Sequence, residues 1–250
     1  MGGHSGGNCI RHNAFTGQFM WAVSLGWNWA YLPLHRSSRD NVVEKNRVHD
    51  LGPGVLYCLG VSPGTVLRNN YIYHVYAAEA WGAGEGIILD NGCIGILVEN
   101  NVVHDAVAGG WGCNFNCLGN IIQNNVFVNG RTYQLTRYGD APEGNPPPNG
   151  EVFSRNVVVW REGPLIKEPD WWSFATLWDY NLYWQSRGEP VCFMRYTFHE
   201  RKAKGRELRD CGPAVRGSGD HDHRLRPQSP AFRLGFRPID LSDVGPRQTR

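Results

Sequence analysis

The chain has 250 residues, a formal net charge of +2 and 19% charged residues. So small a net charge excludes the strongly basic surface typical of nucleic-acid binding, and no apolar stretch reaches the roughly 18 residues of a membrane-spanning helix. We therefore expect neither a nucleic acid nor a membrane among its partners, whereas ten tryptophans suit stacking on sugar rings.

The N-terminal sequence MGGHSGGNCIRHN has no basic start followed by an apolar core, so it predicts no signal peptide. A repeat begins at residue 8, where the first of seven asparagine phrases starts; each phrase has six residues and ends in asparagine. We expect that further coils precede this point or that self-association covers the open strand edges. The phrases are NCIRHN (ending at Asn13), NVVEKN (Asn46), TVLRNN (Asn70), ILVENN (Asn101), NIIQNN (Asn125), EVFSRN (Asn156) and TLWDYN (Asn181).

The final asparagines are separated by 33, 24, 31, 24, 31 and 25 residues. A basic period near 24 with insertions indicates stacked structural units. Asparagine suits a tight corner because its short amide tolerates left-handed backbone and hydrogen-bonds its own main chain. We therefore predict that the seven asparagines form a structural ladder.

Each unit also contains an apolar run before the phrase and another after it. Alternation of apolar residues over about four to six positions is a strand signal, and helical spacing is absent. The pattern predicts an all-β fold, a right-handed parallel β-helix of about seven coils with three short strands per coil. The runs before the phrases are WAVSLG, VLYCL, GIILD, WGCNF, YQLTR and PLIKE.

The repeat ends near residue 185, so we predict a β-helix over residues 1–185 and a C-terminal capping segment over 186–250 that packs back on the helix. The stretch RYTFHERKAKGRE predicts a short helix in that segment. We predict that His221 and His223 lie in a solvated loop.

The cysteines predict packing and no metal. Cys58 and Cys113 align with leucines of other coils and read as small inward-facing hydrophobes. Cys113 and Cys117 have no second cysteine or histidine pair at the spacing of zinc sites. We therefore expect no metal and no cofactor.

Function in a solenoid usually lies where units carry insertions. The long insertions are 27–39, 75–85 and 139–149, and the first two are rich in aromatic residues. Polar residues at the ends of successive first strands predict a track that binds a polysaccharide or oligosaccharide, with a wetted strand face as the alternative. The expected binding residues are Trp27, Trp29, Trp81, Trp111, Asn114, Arg137 and Lys167.

Another set of polar residues follows the asparagines at equal offsets. Two His–Asp pairs resemble the pairs that carry out acid–base catalysis. A catalytic group normally occurs once, however, so the recurrence favours a structural role in the turn of each coil. The set is His49-Asp50, Tyr73-His74, His104-Asp105 and Val128-Asn129.

Several segments in this order resemble a family of bacterial right-handed β-helix carbohydrate-active proteins, glycoside hydrolases with α-L-fucosidase and xylanase members. The segments are NVVEKNRVHDLGPGV, SPGTVLRNNYIYHVY, GIILDNGCIGILVENNVVHDA, NIIQNNVFVNG and SPAFRLGFRPIDLSDVGPR. The resemblance implies glycoside hydrolysis by two carboxyl groups, an extracellular or periplasmic location, and a catalytic role for Asp90 in GIILDNG.

The second carboxylate of that family has no match. Relatives carry an aspartate in a longer stretch where this chain has only Leu56-Tyr57-Cys58. Glu85 is the substitute candidate. Two alternatives stay open: a catalytically inactive carbohydrate-binding β-helix, and a polysaccharide lyase that uses Arg137 or Lys167 as its base.

Overall fold

A computed structural model of the chain describes residues 5–27, 38–77, 84–114, 117–137, 150–167, 176–193, 196–200, 209–210 and 223–247. Within these ranges the strands form three parallel sheets, and successive coils add neighbouring strands to each sheet. Strands are numbered in chain order.

The seven-stranded sheet is built from the asparagine phrases. Its register advances by one coil at each step, as Val42 pairs with Val66 and Val66 with Leu97. The strands in order are β1 (Cys9–Arg11), β4 (Val42–Glu44), β7 (Val66–Arg68), β10 (Leu97–Glu99), β13 (Ile121–Gln123), β16 (Glu151–Ser154) and β18 (Thr176–Asp179).

The eight-stranded sheet contains the runs that follow the phrases. Its strands in order are β2 (Ala14–Thr16), β5 (Arg47–Leu51), β8 (Tyr71–Val75), β11 (Val102–Ala106), β14 (Val126–Val128), β17 (Val157–Trp160), β19 (Leu182–Gln185) and β22 (Arg209–Asp210).

The five-stranded sheet contains the runs that precede the phrases. Its strands are β3 (Val23–Gly26), β6 (Leu56–Leu59), β9 (Glu85–Asp90), β12 (Gly109–Cys113) and β15 (Leu135–Arg137). The parallel β-helix with three strands per coil is thereby confirmed. In the last predicted run, PLIKE, a single bridge joins Ile166 to Leu135.

The space between the sheets is filled by one hydrophobic core. Valine, leucine and isoleucine fill the early coils, and large rings fill the later ones: Trp111, Phe153 and Trp178 follow one another with ring centroids 5.8 and 4.7 Å apart. Each inward residue packs against its equivalents in the coils before and after it, so burial depends on stacking.

The asparagine ladder runs through all seven coils. Asn70 shows its pattern: its backbone N–H and its side-chain Nδ2 both donate to Oδ1 of Asn101, at 3.0 and 2.9 Å. Nδ2 also donates to the carbonyl oxygen of Val43 in the previous coil. The same bonds continue to Asn125, Asn156 and Asn181, and every member from Asn46 onward is fully buried or nearly so.

The predicted reason for the asparagines was wrong in one respect. The left-handed backbone belongs to the residue before each asparagine, with φ between 54° and 57°. That position accepts residues as different as Lys45, Arg155 and Tyr180. Asparagine is needed because its amide bridges neighbouring coils, and bonds to its own main chain are secondary.

Residues 223–247 lie against the outer face of the eight-stranded sheet. Ala231, Leu234 and Phe236, in and after helix α1 (Pro230–Arg233), pack on the outward valines of β11, β14 and β17. Asn124 donates to the carbonyl of Arg237 and accepts from its N–H.

Further along this segment, Asp243 forms an ion pair with Lys45 at 2.7 Å. β20 (Cys192–Phe193) and β21 (Tyr196–Thr197) form an antiparallel pair. Residues 198–200 are helical as predicted, but Tyr196 and Thr197, which were also predicted to be helical, are in β21; the rest of the predicted helix lies outside the described residues. No helix in the described ranges is long and apolar enough to cross a membrane.

Two glycines with left-handed backbone provide a matched test of coil spacing. Gly26 has φ 95° and a Cβ there would overlap the carbonyl oxygen of Leu59 in the next coil, whereas Gly17, with φ 67°, faces open space. We expect Gly17→Ala to lower the free energy of unfolding by about 1 kcal/mol and Gly26→Ala by about 3 kcal/mol or more. Equal losses in urea unfolding would show that only the backbone dihedral matters.

Candidate functional site

The outer face of the five-stranded sheet is partly apolar and partly polar. Along β9, Leu89 points into the core, whereas Ile88 points outward and packs with Tyr57 and Trp21. Asp90 has the same orientation as Ile88 because side chains two residues apart lie on one face of a strand. Asp90 therefore stands on the outer face at the end of β9.

Three donors hold the Asp90 carboxylate. Oδ1 accepts from Nδ2 of Asn114 at 2.6 Å and from the N–H of Asn91 at 2.7 Å, and Oδ2 accepts a short hydrogen bond from the Tyr57 hydroxyl. The residue is 9% exposed. The structure thus brings together two residues that the sequence placed on the polar track, Asp90 and Asn114.

Aromatic rings adjoin this carboxylate. Trp21 stacks on Tyr57 with centroids 4.5 Å apart, and Trp27 lies 5.1 Å from Trp21 and 5.7 Å from Tyr57. Trp27 is 41% exposed, and its Nε1 donates to Ser24 Oγ at 2.7 Å. A partly exposed indole, fixed in orientation, thus flanks the polar group. We call Trp21, Trp27, Tyr57, Asp90 and Asn114 the Asp90 patch.

Tyr57 is a neutral donor at this patch. Burial raises the pKa of its hydroxyl far above the usual range, and the hydrogen bond to Asp90 and the negative charge of that carboxylate raise it further. A phenol with such a pKa stays protonated at physiological pH. It orients Asp90 and is unsuited to act as a nucleophile or base.

Glu85 does not pair with Asp90. The two residues lie at opposite ends of β9, and their carboxylates have separate hydrogen-bond partners. Glu85 lies on the outer face, since a Cβ at the outward-facing Gly112 would lie 3.2 Å from Glu85 Cγ. Glu85 is fully buried and accepts from the Tyr133 hydroxyl at 2.7 Å and from the N–H of Gly84 at 3.0 Å. Lys167 Nζ lies 4.9 Å from the centroid of the Tyr133 ring.

The remaining predicted binding residues separate into three groups. Trp111 was wrongly placed on the binding face: it is fully buried, its ring packs on Phe153, and no ring face is left for a sugar. Trp29 and Trp81 lie outside the described residues. Arg137 ends β15 in register with Cys113, and its side chain is likewise outside the described part.

Sequence reasoning missed Tyr57 and Trp21. A signal for Tyr57 was present, since it lies in the apolar run VLYCL that the sequence predicts as a strand. One side chain of that short strand had to face outward beside Asp90, because β6 and β9 are neighbours in the sheet.

A protein family described as right handed beta helix region matches residues 3–143, more than half of the chain. The chain belongs to the right-handed β-helix family. This confirms the predicted handedness of the coil. No curated protein and no solved structure matches the chain.

The β-helix also carries the His–Asp pairs, on the outer face of the eight-stranded sheet. The rings of His49, Tyr73 and His104 stack in register, with centroids 4.8 and 5.1 Å apart. Left-handed backbone recurs at Asp50, His74, Asp105 and Asn129, with φ of 50° to 54°. The predicted structural role is therefore confirmed: the pairs recur because each contains the left-handed turn residue of its coil.

These pairs predict a loss of stability in acid. The hydrogen bond from His49 lowers the pKa of Asp50 against a smaller rise from burial. Burial raises the pKa of Asp105, but the hydrogen bond and charge of His104 outweigh it and lower the pKa overall. Because the folded-state pKa values lie below the unfolded value of about 3.9, this stability is present above that pH and is lost as pH falls through the folded values.

We therefore expect the urea midpoint to fall as pH drops from about 5 towards 2. Asp105→Asn will flatten this fall, because it removes a carboxylate whose pKa is lowered in the folded state. A slope unaffected by Asp105→Asn would mean that other carboxylates dominate acid unfolding.

Proposed function

We propose that this β-helix protein is a carbohydrate-active protein that binds a polysaccharide or oligosaccharide across the outer face of the five-stranded sheet. The observation that carries the proposal is the Asp90 patch, in which a carboxylate held by three donors adjoins a partly exposed tryptophan. Carboxylate and amide groups bond sugar hydroxyls, and an indole covers the apolar face of a sugar ring.

The position of the patch also supports a long ligand. Asp90 and Asn114 come from neighbouring coils, and Trp27 follows β3, two strands away from β9 in the sheet. Strands of one sheet are about 4.8 Å apart, so the patch extends roughly 14 Å along the solenoid. A chain of two to three sugar units laid along the solenoid axis would contact all of these groups.

Binding is better supported than hydrolysis. Glycoside hydrolysis uses two carboxyl groups about 5–5.5 Å apart for retention or about 6.5–9.5 Å apart for inversion. Glu85 is fully buried and held by Tyr133 and Gly84, whereas Asp90 is held by Tyr57, Asn91 and Asn114. The strands β3, β6, β12 and β15 contain no aspartate or glutamate.

Hydrolysis is the second candidate. Asp90 stands on the outer face at the position that the family resemblance assigns to a catalytic carboxylate. Glu85, on the same face of β9 but fully buried, is the described candidate for the second carboxyl group. Elimination by a lysine base is less well supported, since Lys167 Nζ stands over the Tyr133 ring, whose hydroxyl donates to Glu85.

A panel of plant and bacterial oligosaccharides separates these activities. Isothermal titration will detect binding, and mass analysis after long incubation will detect products. Hydrolysis adds one water to the cleaved products, and elimination leaves an unsaturated sugar that absorbs in the near ultraviolet. We expect binding without a new product. Water-added products that disappear in Asp90→Asn would establish the hydrolase, and no binding to any glycan would overturn the proposal.

A further inference from the structure

Three donor side chains, two thiols and a carboxylate, meet in the core beneath the strand end that carries Asp90, and a third thiol lies beside them. The Sγ atoms of Cys113 and Cys117 and a carboxylate oxygen of Glu151 all lie within 4.8 Å of one another. Cys93 adjoins Cys117. All four residues are 0% exposed. Thiolates with a carboxylate form a donor set that suits a soft divalent cation.

The coils bring the cysteines together. Cys113 ends β12 in the inward column of Leu89, its partner in β9. Cys117 Sγ lies 3.3 Å from the carbonyl oxygen of Leu89. A parallel bridge joins the residues that follow Cys93 and Cys117, so these two cysteines are neighbours in adjacent coils. The thiols therefore converge although they are spread over two coils of the sequence.

Glu151 is the unusual member of its corner column. It precedes the pair of Val152 with Ile121, so it is aligned with Asn120 of the previous coil. Its Oε1 lies 3.2 Å from Asn120 Nδ2 and 3.2 Å from Cys113 Sγ. The equivalent residues in earlier coils are uncharged: Asn41, Thr65, Ile96 and Asn120.

Core packing alone explains only part of this arrangement. Cys58 behaves as a small buried hydrophobe, and burial raises the pKa of its thiol to about 12. Burial also raises the pKa of Cys93, and the hydrogen-bonded Cys117 thiol raises it further. Hydrophobic packing does not call for an acid beside these thiols, because taking a carboxylate out of water costs several kcal/mol.

We propose that Cys113, Cys117 and Glu151 bind one Zn²⁺ ion, and that the Cys93 thiol of the adjacent coil turns towards the ion to complete a closed four-coordinate site. Zinc accepts thiolate sulfur and carboxylate oxygen, and structural zinc sites usually have four protein ligands. On binding, the cysteine thiols release their protons to solvent, and the resulting anions compensate the charge of the ion.

The role of this ion is structural. Every ligand is buried, so no coordination position faces the solvent or the Asp90 patch. The ion would connect the end of β12 to the turns that follow β9 and β12, directly below Asp90 and Asn114. The zinc spacing rule misses the site because its ligands come from three coils and stack only after the helix has formed.

The full chain is unfolded in denaturant, refolded under reducing conditions with one equivalent of Zn²⁺, and desalted before elemental analysis. We expect about one zinc per chain. Refolding with Co²⁺ will give thiolate-to-cobalt absorption in the near ultraviolet and the visible band of tetrahedral cobalt. Cys113→Ser/Cys117→Ser will retain at least about tenfold less zinc, Glu151→Gln will shift the cobalt spectrum, and the exposed Cys9→Ser will match the original chain.

The zinc content and cobalt spectrum of the wild-type chain test the proposal even where a variant fails to fold. A chain whose circular dichroism shows the β-helix but which retains no zinc and no cobalt spectrum overturns the proposal. So does a Cys93–Cys117 disulfide in the native protein, or zinc that the double cysteine variant retains at the wild-type level. None of these outcomes depends on sugar binding, so this proposal and the proposed function stand or fail separately.

Discussion

Replacing Asn101 by leucine will lower the free energy of unfolding by about 3–5 kcal/mol. Oδ1 of Asn101 accepts from the N–H and Nδ2 of Asn70, and its Nδ2 donates to Leu67 O and to Asn125 Oδ1, all at 2.9 to 3.0 Å. Leucine has a similar volume but removes all four bonds in a fully buried corner. The Asn70 N–H loses its side-chain acceptor, while Asn70 Nδ2 keeps its bond to Val43 O and Asn125 Oδ1 keeps its bond from the N–H of residue 101. Each buried polar group that loses its partner costs about 1–3 kcal/mol.

Asn13→Leu is the matched control, because Asn13 lies in the first described coil and is partly exposed. Its side chain donates to Arg11 O and Asn46 Oδ1, and water can replace these bonds. We expect a loss of about 1 kcal/mol or less there. Urea unfolding followed by circular dichroism measures both. If the two substitutions cost the same, the buried ladder does not stabilise the coils as its geometry indicates.

Asp90→Asn will weaken binding of the oligosaccharide found in the panel by about 10- to 100-fold. The amide keeps an oxygen for Asn91 and Asn114, but it loses the negative charge that strengthens hydrogen bonds from sugar hydroxyls. Its NH₂ group also meets the Tyr57 hydroxyl in place of an acceptor oxygen. Isothermal titration measures the change, and unfolding curves show whether the fold is intact.

Two further variants separate the contribution of the Asp90 charge to binding from that of the aromatic rings. Trp27→Ala will weaken binding by about tenfold, because the exposed indole face is lost. Asp40→Asn, at an exposed aspartate outside the Asp90 patch, will bind as the original chain does. Unchanged affinity in both Asp90→Asn and Trp27→Ala would place the sugar on another surface.

Much of the fold was predictable because its signals are local and repeated. The seven asparagine phrases mark the seven coils, and the alternating apolar residues mark three strands in most of them. The assignment of left-handed backbone to the asparagine was wrong. The repeat interval shows where each turn lies, but it does not show which of two adjacent residues has the positive φ.

The site was predictable only in part. Asp90 and Asn114 were found because both occur once at the ends of first strands, and that spacing stays the same when coils stack. Trp111 was misplaced because a tryptophan in a glycine-rich strand can face either side, and only the core shows that it packs on Phe153. The sequence did not show whether the Glu85 carboxylate is accessible, and only the structure shows that it is fully buried.

The sequence by itself determined the period, the strands and the asparagine ladder, because these depend on residues that are near one another along the chain and recur in every coil. The tertiary structure alone decided which side chains share a surface. Tyr57 meets Asp90 across 33 residues, and Glu151 meets Cys113 across 38. Such contacts follow from the register between coils, which insertions of unequal length conceal in the linear sequence.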